Sequence, residues 1–234
     1  MAGLGGLDGP RRPPAAGGKP TSLVVFAHGY GSNGDDLIGL APVLAQALPN
    51  TAFASPDAPG RVPGYPNGFQ WFPISRLDPA LMAVGVRQAS PYLERFLEAE
   101  LRRWELPASA LALVGFSQGT MMSLHAGLRR PEPPAAVVGF SGVLTAPERL
   151  AAEMTGAPPP VLLVHGAQDD VVPVHALAAA REGLAAAGVG CRWRVEPRLP
   201  HSIGQAGLAD CAAFLKDAFA GRLAGWAGPA AGAG

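Results

Sequence analysis

The chain is 234 residues long, with 18 basic and 18 acidic side chains and a formal net charge of zero. That balance argues against nucleic acid or an anionic membrane as partner, since both select a basic excess. No apolar run reaches the roughly 18 residues needed to span a bilayer as a helix, and the only two cysteines, Cys191 and Cys211, read as buried free thiols of a cytoplasmic protein rather than a disulfide framework.

Residues 1–20 are rich in Gly, Pro, Ala and Arg, without an apolar run, and are expected to be a flexible segment rather than a secretory signal. Residues 223–234 are Gly/Ala-rich and read as a second flexible tail. Between them, residues 21–222 suffice for one well-buried domain.

The domain opens with a β-rich run, Leu23–Ala27. A glycine-rich turn, His28-Gly29-Tyr30-Gly31-Ser32-Asn33-Gly34, leads into an amphipathic helix over 35–47 and a strand over 51–54. Residues 55–78 carry five prolines (56, 59, 63, 66 and 73) together with Tyr65, Phe69, Trp71 and Phe72. Long stiffened loops of this kind usually serve a site, and this one is expected to overhang it and supply an apolar wall. The pattern then predicts a helix at 78–104, strand 110–115, helix 118–130, strand 136–140 and a short helix near 147–154. Strand 161–164, helix 174–187, strand 191–195 and helix 206–220 complete the chain. Strands alternating with helices imply a mostly parallel sheet covered on both faces, with chemistry at the strands' carboxyl ends. No Gly-Lys-Ser/Thr is present, which excludes P-loop chemistry.

One turn carries the strongest signal. Gly115-Phe116-Ser117-Gln118-Gly119 lies directly between an apolar strand and a helix. There a G-x-S-x-G motif forms a strained elbow that lifts the serine hydroxyl above the sheet edge. Strand and helix nearly touch two residues before and after the serine, so both positions must lack bulk. A second Gly-Phe-Ser-Gly, at Gly139–Gly142, lacks that frame and reads as a strand leading into a loop.

A serine needs a base, and the base needs an orienting acid; on such a sheet they follow in the order Ser, Asp or Glu, His. Asp169 follows strand 161–164, and His201 follows strand 191–195 in a Pro-His-Ser turn. Asp170 competes with Asp169, its other role being an N-cap near Val171. Of five histidines, His125 and His175 fall in helices, while His28 and His165 end strands and are expected to tie loops. The backbone N–H groups of Gln118 and Tyr30 are the candidate oxyanion donors, each worth roughly 3–4 kcal/mol of transition-state stabilisation. No H-E-x-x-H or paired-cysteine metal motif is present, and no metal is expected.

Together these pieces resemble the carboxylesterase/phospholipase branch of the α/β-hydrolases, the group that includes acyl-protein thioesterases. The resemblance rests on His28-Gly29-Tyr30-Gly31, Gly115–Gly119, His165-Gly166-x-x-Asp169-x-Val171-Val172-Pro173 and Pro200-His201-Ser202-Ile203, and covers about residues 23–215. Gln70-Trp71-Phe72-Pro73 is similar to that family's Trp-Phe segment, which implies that Phe69, Trp71 and Phe72 border the substrate cleft. It implies an α/β-hydrolase fold without a separate cap domain, no cofactor, and hydrolysis of small-molecule carboxylic esters of short to medium chain length. Thioesters or lysophospholipids are alternatives, and a homodimer is compatible with these readings. Two departures stand out: Tyr30 occupies a position usually aliphatic in the thioesterases, and residues 1–20 have no counterpart in the family core. From a different class, a catalytically silent binding protein is disfavoured because no triad member is missing.

Overall fold

The computed structural model describes residues 6–74 and 78–223. Its centre is a seven-stranded sheet: β1 (Arg11–Arg12), β2 (Ser22–Ala27), β3 (Thr51–Ala54), β6 (Leu111–Phe116), β7 (Ala136–Phe140), β8 (Val161–Gly166) and β9 (Cys191–Glu196). The spatial order is β1-β3-β2-β6-β7-β8-β9, and every pairing is parallel except β1 with β3. β4 (Gly60–Arg61) and β5 (Phe69–Gln70) form a separate two-stranded ribbon inside the proline-rich segment.

Strands β2 and β7 are buried at every position, which is why they read as continuous apolar runs rather than alternating ones. Successive side chains go to opposite faces. Leu23, Val25, Leu111, Leu113 and Leu163 pack under α3 (Pro79–Trp104), α4 (Gln118–Gly127), α5 (Pro147–Glu153) and α6 (His175–Ala186). Val24, Phe26, Val114, Val138 and Val164 pack under α1 (Gly34–Ile38), α2 (Ala41–Ala47) and α7 (Gln205–Phe219). Among the described residues no helix is long and apolar enough to cross a membrane.

Two expectations are corrected. The single helix predicted over 35–47 is two helices, α1 and α2, because Pro42 at the start of α2 has no N–H to continue the ladder through Gly39 and Leu40. The N-terminal stretch expected to be flexible supplies edge strand β1, whose Arg11 bonds the Glu100 carboxylate through Nε at 2.9 Å and Nη2 at 2.8 Å. Glu100 is 1% exposed, so this pair fastens β1 to the body of α3. An edge strand needs little more than free backbone groups and an anchor, and composition registers neither. The tail from residue 224 onward lies outside the described residues.

Candidate active site

β6 ends at Phe116, and Ser117 follows with φ 53° and ψ −116° before α4 begins at Gln118. Such a conformation strains a residue with a Cβ and persists only where its surroundings hold it. Here Ser117 N–H donates to Phe140 O at 2.9 Å, and Thr120 Oγ1 contacts Gly115 O and Phe140 O at 2.9 and 2.8 Å. The flanking glycines are required by contact: a Cβ on Gly119 would overlap Ala27 O, and one on Gly115 would overlap Gly119 O. Strand and helix therefore touch at both positions that the motif spacing singles out.

Asp169 and His201 come together from the loops after β8 and β9. Asp169 Oδ2 accepts His201 Nδ1–H at 2.8 Å, while Oδ1 accepts the N–H groups of Val171 at 3.0 Å and Val172 at 2.8 Å. The Asp169 side chain is fully buried, and the competing Asp170 is exposed. Burial by itself raises the Asp169 pKa, but the hydrogen bonds from His201 and Val172 and the attraction of His201 outweigh it and hold the carboxyl below its ordinary value. An ionised carboxylate on Nδ1 assigns the imidazole tautomer and leaves Nε2 free to accept a proton. The His201 ring packs against Phe116, centroids 4.8 Å apart, beside the residue that precedes Ser117. Among the described residues no hydrogen bond joins Ser117 Oγ to the imidazole, a contact of the kind that tightens when substrate docks.

The two loops are stitched to each other. Ala167 N–H donates to Glu196 O at 2.9 Å and Gln168 N–H to Leu199 O at 3.0 Å. Gly166 lies so close beneath Leu199 and Pro200 that no side chain fits. His165 Nε2–H donates to Val172 O at 2.7 Å, the loop tie expected of a strand-end histidine.

The first glycine-rich turn closes the site from the other side. A Cβ on Gly29 would sit 3.3 Å from Ser117 Cβ, so the following N–H, that of Tyr30, belongs to the same corner as the elbow. Gly31 N–H donates to Phe69 O and Phe69 N–H to Ser32 O, both at 2.8 Å, tying the turn to β5. His28 Nε2 accepts Ala58 N–H at 3.0 Å and its Nδ1–H donates to Gly29 O at 2.8 Å. Burial lowers the His28 pKa against the opposing pull of that carbonyl, so it serves as a neutral strut.

The proline-rich segment meets this corner through a side chain that sequence reasoning missed. Gln118 Oε1 accepts Trp71 N–H at 2.9 Å and Nε2 donates to Phe72 O at 2.7 Å, while Trp71 Nε1–H donates to His28 O at 3.0 Å. Of the aromatics expected to border substrate, Phe69 is half-buried, but Trp71 and Phe72 are 3% and 4% exposed and lie in the core. Phe72 fills the space above Gly85 of α3. The apolar surface presented to solvent comes instead from Tyr30 and Tyr65, 43% and 61% exposed, beside Gly31 and Gly68. No group of three or more His, Cys, Asp or Glu side chains among the described residues is arranged to hold a metal ion.

A parallel sheet with a serine elbow after one strand and a linked Asp–His pair on later loops defines an α/β-hydrolase. The phospholipase/carboxylesterase family matches residues 14–218, and the chain belongs to that family of hydrolases. It is 29% identical to acyl-protein thioesterase 1 of Mycosarcoma maydis over 224 residues, covering 87% of this chain and 93% of that one. It is also 29% identical to esterase YpfH of Escherichia coli K12 over 192 residues, 79% of this chain and 78% of that one. The crystal structure of esterase PE8 superimposes with a TM-score of 0.86 at 42% identity, covering 91% of this chain and 99% of that one.

Proposed function

We propose that this chain is a serine carboxylesterase that cleaves short- to medium-chain acyl esters through an acyl-enzyme on Ser117. The observation that carries the reading is the 2.8 Å bond from His201 Nδ1 to a buried Asp169 carboxylate, at the same sheet edge as the Ser117 elbow. His201 Nε2 takes the Ser117 proton as Oγ attacks the ester carbonyl. The N–H groups of Gln118 and Tyr30, neither engaged in a hydrogen bond among the described residues, receive the oxyanion. The imidazolium then protonates the departing alcohol, water cleaves the acyl-enzyme by the same route in reverse, and Asp169 fixes the tautomer throughout. Exposed Tyr30, Tyr65 and Val171 offer an acyl chain an apolar surface.

Thioester hydrolysis by the same groups is the second reading, favoured by the likeness to a protein named acyl-protein thioesterase 1. The deciding experiment assays p-nitrophenyl esters from acetyl to dodecanoyl, and a palmitoyl thioester, with the native chain and Ser117→Ala side by side. Ester hydrolysis abolished by Ser117→Ala is the expected result. Undiminished turnover in that variant would refute the nucleophile, and a rate higher on the thioester would shift the assignment to the second reading.

A further inference from the structure

We propose that Glu196 is a positioning residue for the Asp169–His201 pair: its carboxylate holds the helix that follows His201, and its carbonyl holds the loop that carries Asp169. This rests on the triad reading above.

Glu196 ends β9, and the chain then runs through Leu199, Pro200 and His201 to the start of α7 at Gln205. The Glu196 carbonyl accepts the Ala167 N–H of the Asp169 loop at 2.9 Å and the Leu199 N–H at 3.3 Å. Its side chain reaches across the His201 loop, where Oε1 accepts the Gly207 N–H in the first turn of α7 at 3.0 Å. One residue therefore bonds the loop on either side of the imidazole and the loop that brings the acid.

The far stem is built to receive that carboxylate. First-turn N–H groups of a helix need acceptors from outside it. The N-cap of α7 is Gly204, which has no side chain to offer one. A Cβ on Gly204 would fall 2.3 and 2.6 Å from the two Glu196 carboxylate oxygens, and one on Gly207 would fall 2.7 Å from Oε1. The carboxylate thus occupies the room that both glycines leave. Gly204 has φ −85° and ψ 162°, which any residue adopts, so its lack of a Cβ answers to the carboxylate rather than to the backbone.

Packing alone does not hold the stems together. A groove of about 390 Å³ lies between them, walled by Arg198 from one side and Gln205 from the other. The nearest arginine on β9, Arg194, is engaged elsewhere, its Nε and Nη2 bonding the Asp210 carboxylate at 2.5 and 2.9 Å. Among the described residues Glu196 has no ion-pair partner, and its carboxylate is committed to α7. Cutting that tether lets the stems separate, and His201 then samples positions in which Nε2 no longer meets Ser117 Oγ. Small displacements of a catalytic group lower kcat steeply while leaving substrate contacts in place.

The test uses the full chain with Glu196→Ala, Glu196→Gln, Gly204→Ala and the double variant Glu196→Ala/Gly204→Ala, beside Ser117→Ala. It measures kcat, KM, melting temperature and the low-field proton resonance of His201 Nδ1–H, with kinetics well below every melting temperature. Glu196→Ala should lower kcat roughly tenfold with KM within about twofold, and shift or broaden the resonance. Glu196→Gln keeps the acceptor for Gly207 N–H and should restore kcat to within about threefold of native. Gly204→Ala pushes the carboxylate off its seat and should match Glu196→Ala. The double variant should be no slower than either single change, because both remove one interaction. Native kcat and resonance in a folded Glu196→Ala overturn the proposal, as do a Glu196→Gln as slow as Glu196→Ala and multiplying losses in the double variant. If Glu196→Ala does not fold, Gly204→Ala decides by the same readouts. Native activity in Ser117→Ala overturns the triad reading as well; native behaviour of the Glu196 and Gly204 variants beside an inactive Ser117→Ala overturns this inference alone.

Discussion

The side chain of Gln118 holds the backbone of Trp71, with Oε1 accepting the Trp71 N–H at 2.9 Å. The residue after the serine thus supplies a candidate oxyanion N–H from its backbone and fastens the proline-rich segment with its amide. Gln118→Ala leaves the buried Trp71 N–H and Phe72 carbonyl unpaired, at a cost of roughly 2–4 kcal/mol in urea denaturation. The rate should fall too, because Trp71 also bonds His28 O at the head of the Gly29–Gly31 turn. Unchanged stability in Gln118→Ala would remove the clamp from the account.

Two glycines near Ser117 should separate folding from chemistry. A Cβ on Gly119 overlaps the Ala27 carbonyl, fixed in β2, so Gly119→Ala should lose more than about 4 kcal/mol or yield no folded protein. A Cβ on Gly29 meets the Phe116 ring at 3.2 Å and Ser117 Cβ at 3.3 Å, contacts that small shifts relieve. Gly29→Ala should cost under about 1.5 kcal/mol of stability, yet lower kcat by roughly 10–100-fold through displacement of the elbow. Chemical denaturation and steady-state kinetics on the pair check both halves.

Asp169→Asn keeps an acceptor for Val171 and Val172 but loses the charge that fixes the His201 tautomer. The expected loss in kcat is about 10⁴-fold. The same substitution should change acid stability. The folded pKa of Asp169 lies below its ordinary value, so its contribution is fully present above about pH 4 and is lost as pH falls through the lower, folded value. Urea midpoints below pH 4 should therefore fall less steeply in Asp169→Asn than in the native chain.

His125, on α4, has its pKa pushed down to about 4 by burial, and by Arg129 and Arg87 against the opposing Glu153. The unfolded chain takes up a proton near pH 6.5 and the folded chain near 4, so the unfolded form binds more protons in between. Stability should rise with pH across that window. His125→Gln should flatten the rise without altering kcat, because His125 lies among Arg87, Pro91 and Glu94 on the α3–α4 face rather than at the serine elbow. Parallel pH dependences of the urea midpoint in both proteins would refute the assignment.

The sheet and the order of its helices were legible because buried parallel strands leave unbroken apolar runs, as at Val161–Val164 and Ala136–Phe140. The elbow was legible for a similar reason: the glycines at 115 and 119 report contacts that no other residue tolerates. The break between α1 and α2 was signalled by Pro42 but lay within an amphipathic pattern that overrode it. The long loop's aromatics could be read as apolar wall or as core, and pairing with Gln118 drew Trp71 and Phe72 inward.

The linear order of residues by itself determined which chemical groups this chain brings to the carboxyl edge of its sheet, since period, glycine spacing and loop placement are local properties. Tertiary structure alone decided that Asp169 rather than Asp170 faces His201, and that Trp71 and Phe72 are buried in the core. Those choices depend on which atoms meet across elements distant in sequence, where distances of an ångström separate a hydrogen bond from an empty contact.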